Sequence, residues 1–533
     1  MSALSTMDAS YDVIIVGFGP SGAVAAGLLG QAGIKTLVVD RLHQVYDKPR
    51  AIALDHEIMR VFQQLGVAEQ VAEYIEPFTP SEYYGADGAL IKRLATVEPP
   101  FPLGYTPSMV FTQPPVERIL RARVQALPSV TVVTGVEFIG EQQDGTGVRV
   151  QLRHEDGGVK EVPAQYLIGC DGASSAVRAA AGIELEDLDF DEPWLVVDVL
   201  VNEKGLAKLP ETSVQFCEPE RPCTYVIGPN NHRRWEISLL PGEDPRHMAT
   251  EEGAWSVLKR WITPDDATLW RQASYRFHAL VAKQWRQGRI FIAGDAAHQQ
   301  PPFLGQGMCQ GVRDVANLSW KLQAVLQHHA PVSLLDSYGE ERGLHVRKLT
   351  GRIKDIGKLI CERDLAAARS RDARLIAEAG GTIKTVARQD IIPPLEAGLL
   401  STQSTSARGS LFPQPRVVSS EGNLLLDQIA GNGWRLVFDA GKINVTPALI
   451  AAARQFDAQI VAVHADALRA ESGVLRVQEQ EQVLANWFSR HGVSAALVRP
   501  DNYVYGVAKT ADGLLMQIAS LLPALTVGVA IAA

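Results

Sequence analysis

At 533 residues the chain is too long for one hydrophobic core, so about three domains are expected. Hydrophobic residues at 46% and charged residues at 21% exclude a disordered chain. A net charge of −9, with no basic run longer than two residues, excludes nucleic acid as a partner and leaves small molecules.

The first ten residues hold no Lys or Arg and no long apolar core, so they read as a tail, not a secretory signal. Tyr11–Gly17 predicts a buried strand, Pro20–Ala32 a helix of small residues, and Lys35–Asp40 a second strand, which together open a βαβ unit. Gly17-Phe18-Gly19-Pro20-Ser21-Gly22 is a G-x-G-x-x-G turn between the first strand and the helix. Gly17 permits the tight turn, Gly19 admits a pyrophosphate, and Gly22 lets the helix pack close to its strand. The helix N-terminus then offers free N–H groups to the phosphates. Asp40, 23 residues after Gly17, is placed to accept ribose hydroxyls, with Arg41 beside it as a further cofactor contact. The motif alone does not separate NAD from FAD, although Asp40 argues against a 2′-phosphate.

Further buried strands end at Asp171 (Y-L-I-G-C-D) and at Asp295 (G-R-I-F-I-A-G-D). Between them, from about Glu186 to Lys283, alternating runs such as Trp194–Val201 and Trp235–Leu240 predict a sheet-rich insert. Helical patterns dominate from Leu335 to about Leu400. Ser401–Ser420, rich in Ser, Thr, Pro and Gly, reads as a linker. Beyond it W-R-L-V-F-D, A-Q-I-V-A-V-H and A-A-L-V-R-P predict three strands of a small α/β domain. Gly513–Ala533 carries no charge, but Gln517, Ser520, Pro523 and Gly528 interrupt it, so it reads as a buried terminal helix with a loose tail, not a membrane span. Five cysteines without a C-x-x-C pair suit a reducing cytoplasm, and no metal site is expected.

Three segments together carry a resemblance. After the glycine turn come Gly169-Cys170-Asp171-Gly172 through Arg178, and then Gly288 through Gly294-Asp295-Ala296-Ala297-His298. In this order they resemble the class A flavoprotein monooxygenases, with their D-G and G-D motifs. Phrases such as P-R-A-I-A-L-D-H-E and F-L-G-Q-G-M-C-Q-G-V-R-D resemble the 3-(3-hydroxyphenyl)propionate and phenol hydroxylases within that family. The resemblance implies a Rossmann-like FAD domain (11–75, 100–185 and 284–400) and an interleaved β-rich substrate domain (76–99 and 186–283), as in the p-hydroxybenzoate hydroxylase-like fold. After the linker at 401–420 it implies a thioredoxin-like domain at 421–533, without a single cysteine and therefore without thiol chemistry.

It also implies the chemistry. NADH or NADPH reduces FAD, O₂ gives a flavin C4a-hydroperoxide, and a phenolic ring is hydroxylated ortho to its hydroxyl. Asp295 is expected on the ribityl chain, Asp171 and Arg178 on FAD or the nicotinamide, and Arg50 and Gln113 on FAD. Gly305, Gly307 and Met308 are expected to line the flavin ring, the N–H groups of Gly307 and Met308 facing its N1–C2=O edge, with Pro302 beside the reacting oxygen. Family members often carry Asn where Cys309 stands and Gly where Leu304 stands, so only backbone contacts carry over at those two positions. Asp55 and His56 are candidates for taking the phenolic proton, against a plain helix N-cap at Asp55. His298 reads as a packed supporting group. Arg221, Arg233, Arg234, Tyr225 and Trp235 are candidates for the substrate wall, against solvated or core roles. A polycyclic epoxidase or ring-expanding oxygenase stays open, as does a flavin-binding protein without catalysis. A homodimer follows from family habit alone.

Overall fold

The computed structural model describes residues 3–419, 422–464 and 473–526. Its first sheet has eight strands around a parallel core, in the order Ile290–Ile292, Val159–Gly169, Tyr11–Val16, Thr36–Asp40, Val130–Thr134. These segments are near-continuous Val/Ile/Leu runs because helices cover both faces of a parallel sheet. Helix Pro20–Gln31 follows the first strand and packs on the long helix Gly307–Gln327.

A second sheet of nine strands is mostly antiparallel, with two parallel pairings toward one end. Its centre pairs Ala267–Ala282, Leu185–Val201, His232–Ser238 and Cys223–Ile227. Ser213–Phe216, Ser81–Tyr84 and Leu90–Ala95 continue it. Two additions come from the stretch 284–400, which was expected to belong wholly to the parallel unit. His298–Gln299 pairs with one edge of this sheet and Lys384–Ala387 with the other. Conversely Ile75–Pro77, at the start of the expected β-rich piece, joins a separate three-stranded sheet with Ser108–Phe111 and Ala53–Asp55. Edge strands this short carry no periodic signal of their own.

The third sheet contains the three expected strands as Arg435–Asp439, Gln459–Val463 and Ala495–Val498, plus four more. Helices Pro447–Arg454 and Ala511–Leu525 cover one face, where Trp434 and Leu436 meet Trp320 of the long helix. Helix Val483–His491 covers the other with Trp487 and Phe488. The tail expected after the terminal helix lies, from residue 527 on, outside the described residues.

The linker reading of 401–420 requires correction. Ala407 and Phe412 are buried in the core of the third sheet, and Arg416–Ser419 is one of its strands. Gly409 N–H donates to Val504 O and Phe412 N–H to Asn502 O, both at 2.8–2.9 Å. Small polar composition suggests a free connector, but two apolar anchors and a paired backbone tie this one down. No helix among the described residues is long and apolar enough to cross a membrane.

Candidate active site

The glycine turn sits where the first parallel strand ends. Gly17 has φ +102°, and a Cβ there would lie 2.3 Å from Cys170 O, so only glycine lets the two loops touch. A Cβ at Gly22 would fall 1.9 Å from Gly17 O, which fixes how closely the helix approaches its strand. Asp40 buttresses the turn, its carboxylate accepting from Phe18 N–H and Leu42 N–H at 2.7 Å each.

These strand ends open on a cavity of about 610 Å³. Gly17, Gly19, Asp40, Arg41, Arg50, Gln113, Asp171, Asp295, Pro302, Gly305, Gly307 and Met308 all line it, as does Arg234. Two helix N-termini face it, Pro20–Gln31 and Gly307–Gln327, and neither has a side-chain cap. At Gly19 and Gly307 a Cβ would meet nothing within 4 Å, so no protein neighbour demands glycine at either place. Backbone N–H groups left open beside an unfilled cradle suit a large anionic ligand. An adenine-linked flavin with its pyrophosphate fits that donor set.

Supporting residues hold the cradle. Gln113 Oε1 accepts from Arg50 N–H (3.2 Å) and Ala51 N–H (2.6 Å), fixing the segment that carries Arg50. Asp295 opens into the cavity while protein surrounds it on its other sides; burial pushes its carboxyl up, and His298 and Arg50 pull it back. Asp314, which sequence reasoning missed as a functional position, accepts from Gly294 N–H (2.9 Å), His298 Nε2 (2.7 Å) and Arg342 Nε (2.9 Å). It holds the G-D loop in place, and its only local signal is the R-D pair in G-V-R-D. His298 is buried against Trp285 and pairs with Asp314 at the cavity's edge.

Several expected residues are not brought to the cavity. Gly22 acts only through packing. Arg178 does not line it; its guanidinium donates to Ala296 O and Ala173 O, both at 2.9 Å, stapling the D-G loop to the G-D loop. Asp55 is the N-cap of helix His56–Leu65 and pairs with Arg313, 258 positions away. Burial would raise its carboxyl, but Arg313 overrides that and holds it below the ordinary carboxylate range. His56 is buried and pushed down to about 4 by that burial. A carboxylate locked to a guanidinium and away from the ring pocket is no proton acceptor for a substrate, so the catalytic reading of Asp55 and His56 is corrected. Arg221 pairs with Glu243 at 2.6 and 2.9 Å, off the cavity. Tyr225 and Trp235 pack on each other, centroids 4.9 Å apart, inside the core on the sheet's far face.

The near face of that sheet follows from strand alternation. In His232–Ser238, Trp235 and Ile237 point into the far core, so Arg234, Glu236 and Ser238 share the other side. Arg234 is held by four hydrogen bonds: it donates to Asp198 (2.7 and 3.2 Å), Arg50 O (2.8 Å) and Pro49 O (3.4 Å), tying the sheet to the Arg50 segment. Arg233 donates to the backbone carbonyls of Gly228, Asn230 and His232. Glu236 lines the cavity, and burial pushes its carboxyl up to about 7. The sequence signal for it was the alternation in R-W-E-I, a charge facing away from the core in a buried strand.

Comparison with known proteins closes the question of family. The family described as "FAD binding domain" matches residues 10–352, and "HcaD C-terminal domain" matches 409–521. The chain belongs to the FAD binding domain family. Among FAD-binding relatives, the "Probable NADH-specific resorcinol 4-hydroxylase" of Rhodococcus jostii (strain RHA1) is 37% identical over 95% of this chain and 93% of its own. The "3-(3-hydroxy-phenyl)propionate/3-hydroxycinnamic acid hydroxylase" of Burkholderia cenocepacia (strain HI2424) is 31% identical over 92% and 93%. In fold, the chain matches the flavin-dependent monooxygenase PieE at TM-score 0.80 and 21% identity, covering 97% of this chain and 99% of that one. Aklavinone-11 hydroxylase matches at TM-score 0.77 and 22% identity, over 98% and 99%. This FAD-binding chain is an FAD-dependent aromatic monooxygenase with an α/β fold of mixed sheets.

Proposed function

We propose that this chain uses NADH or NADPH and O₂ to hydroxylate a small phenol beside its hydroxyl group. One observation carries the reading: the flavin cradle and the near face of the nine-stranded sheet are two walls of a single cavity. FAD, when bound, accepts hydride from the nicotinamide and activates dioxygen. The chain's own residues bind, orient and keep water out. Asp40 would receive the ribose, the N–H groups at Pro20–Gln31 and the cations Arg41 and Arg50 would take the pyrophosphate, and Asp295 would take the ribityl hydroxyls. The N–H groups of Gly307 and Met308 would stabilise charge on the reduced ring. Pro302 stiffens the wall, backed by Phe303, Trp194 and Phe277, whose centroids lie 5.4–6.2 Å apart. Such a dry aromatic backing protects an oxygen-activating site from wasteful peroxide release.

The experiment is a panel of phenols with the purified protein, following NADH and NADPH consumption, product and peroxide together. A phenol that accelerates consumption and is recovered with one more hydroxyl supports the reading. A chain that stays colourless with excess FAD, or whose oxidation no phenol accelerates, overturns it.

We also read the C-terminal unit as thioredoxin-like. Supporting this, Gln459–Val463 and Arg435–Asp439 run parallel, Ala495–Val498 and Val504–Ala508 follow antiparallel, and a helix closes the unit. Its lack of any cysteine makes it structural. A cytoplasmic, homodimeric enzyme completes the proposal, the first supported by five free thiols.

A further inference from the structure

Within the site, one buried carboxyl receives no hydrogen bond from another side chain among the described residues. Glu236 is 4% exposed, lines the cavity, and makes no hydrogen bond among the described residues. Its nearest cation, Arg234 Nη1, stands 4.0 Å away, beyond hydrogen-bond distance, and donates to Arg50 O, while the rest of that guanidinium holds Asp198 and Pro49 O. Its neighbours across the sheet do not reach it either. Thr224, directly opposite on one strand, donates to Gln215 Oε1 at 2.6 Å, and on the other side stands Val196. Other cations of the sheet are paired elsewhere: Arg221 with Glu243, Arg276 with Asp191, Arg233 with carbonyls, and Arg271 with Asp198, Pro49 O and Tyr275.

A buried carboxyl without a partner is expensive, and proteins avoid one unless a ligand completes it. The chemistry of the missing partner follows. A carboxyl oxygen accepts hydrogen bonds from hydroxyls, and once ionised the group repels anions; the guanidiniums nearest it on this wall, Arg234 and Arg271, are already bound to Asp198. We infer that Glu236 selects the substrate, accepting a hydrogen bond from a second hydroxyl on a neutral, resorcinol-type ring and turning away phenols that carry a carboxylate there. Glu236 thus acts as a specificity-determining residue, and the inference rests on the aromatic-hydroxylase reading above.

The test compares resorcinol, phenol and 3-(3-hydroxyphenyl)propionate with the flavin-loaded wild type and with Glu236→Gln, reading KM and kcat separately. In the wild type, resorcinol should show the lowest KM of the three. In E236Q the KM for resorcinol should rise about 10- to 100-fold, the range for losing a hydrogen bond to a charged group. Phenol should change far less, and the carboxylated phenol should gain on resorcinol. Flavin content of each protein is measured alongside. Should E236Q fail to hold flavin, the wild type alone decides: equal or tighter binding of the carboxylated phenol overturns the inference. So does an unchanged KM ratio in E236Q while resorcinol is still hydroxylated, an outcome that leaves the hydroxylase reading standing. If no phenol is hydroxylated at all, it is that reading which fails.

Discussion

The parallel unit meets its two neighbours in opposite ways. Against the C-terminal sheet its charges are buried and fully matched. Arg60 holds Asp427, which also holds Arg435, and Arg499 grips both Glu341 and Asp501 while Lys321 shares Glu341. Against the nine-stranded sheet the cavity keeps polar groups open: Glu236 without a side-chain hydrogen bond, Asp295 facing space, and two uncapped helix N-termini. Both regions bury charge, yet only the first satisfies it internally. A completed ion network specifies how two units dock, whereas an incomplete one waits for a ligand.

Breaking the completed side should cost the most. Asp427→Ala strands two buried guanidiniums at once and should lower stability by about 3–5 kcal/mol, seen as a large drop in Tm. The open side should respond in the reverse sense. Burial raises the Glu236 carboxyl from 4.5 to about 7, so the folded chain keeps a proton that the unfolded chain releases. Its contribution to stability is therefore present below pH 4.5 and lost as pH rises through about 7. Thermal unfolding of Glu236→Gln should gain on the wild type over that window, by about 2–3 kcal/mol at the upper end. An unchanged difference across the window would mean that Glu236 has a partner after all.

Asp295→Asn sharpens the comparison further. It should weaken FAD binding about 10-fold or more in a titration, while the Tm of the flavin-stripped chain holds or rises. A fall in that Tm would place Asp295 with the structural charges instead. The smallest effect belongs to Arg221→Ala, whose pair with Glu243 is partly exposed; less than about 1 kcal/mol and an unmoved KM are expected. A raised KM would return Arg221 to the substrate wall.

How much of this was legible beforehand varies with range along the chain. The glycine turn, the strands ending at Asp171 and Asp295 and the Pro302–Met308 turn were readable because each states a local demand: a tight turn, a buried run, a helix start. The partners were not. Asp55 stands as a plausible base in its own neighbourhood, and only Arg313, 258 positions on, shows it to be a structural anion. Tyr225 and Trp235 looked like pocket residues until the pairing of their strands turned them to the far face. Segment 401–420 has a linker's composition and a core's anchors.

By itself, then, the sequence determined the glycine turn and the strand ends at Asp171 and Asp295, because backbone geometry at a turn depends on the few residues composing it; the flavin came from the resemblance those segments carry. Which side chains remain free to meet a substrate was decided only by the tertiary structure. Whether a charge is neutralised depends on what folding brings within a few ångströms, and at the Glu236 carboxyl folding brings a cation to 4.0 Å but no hydrogen bond.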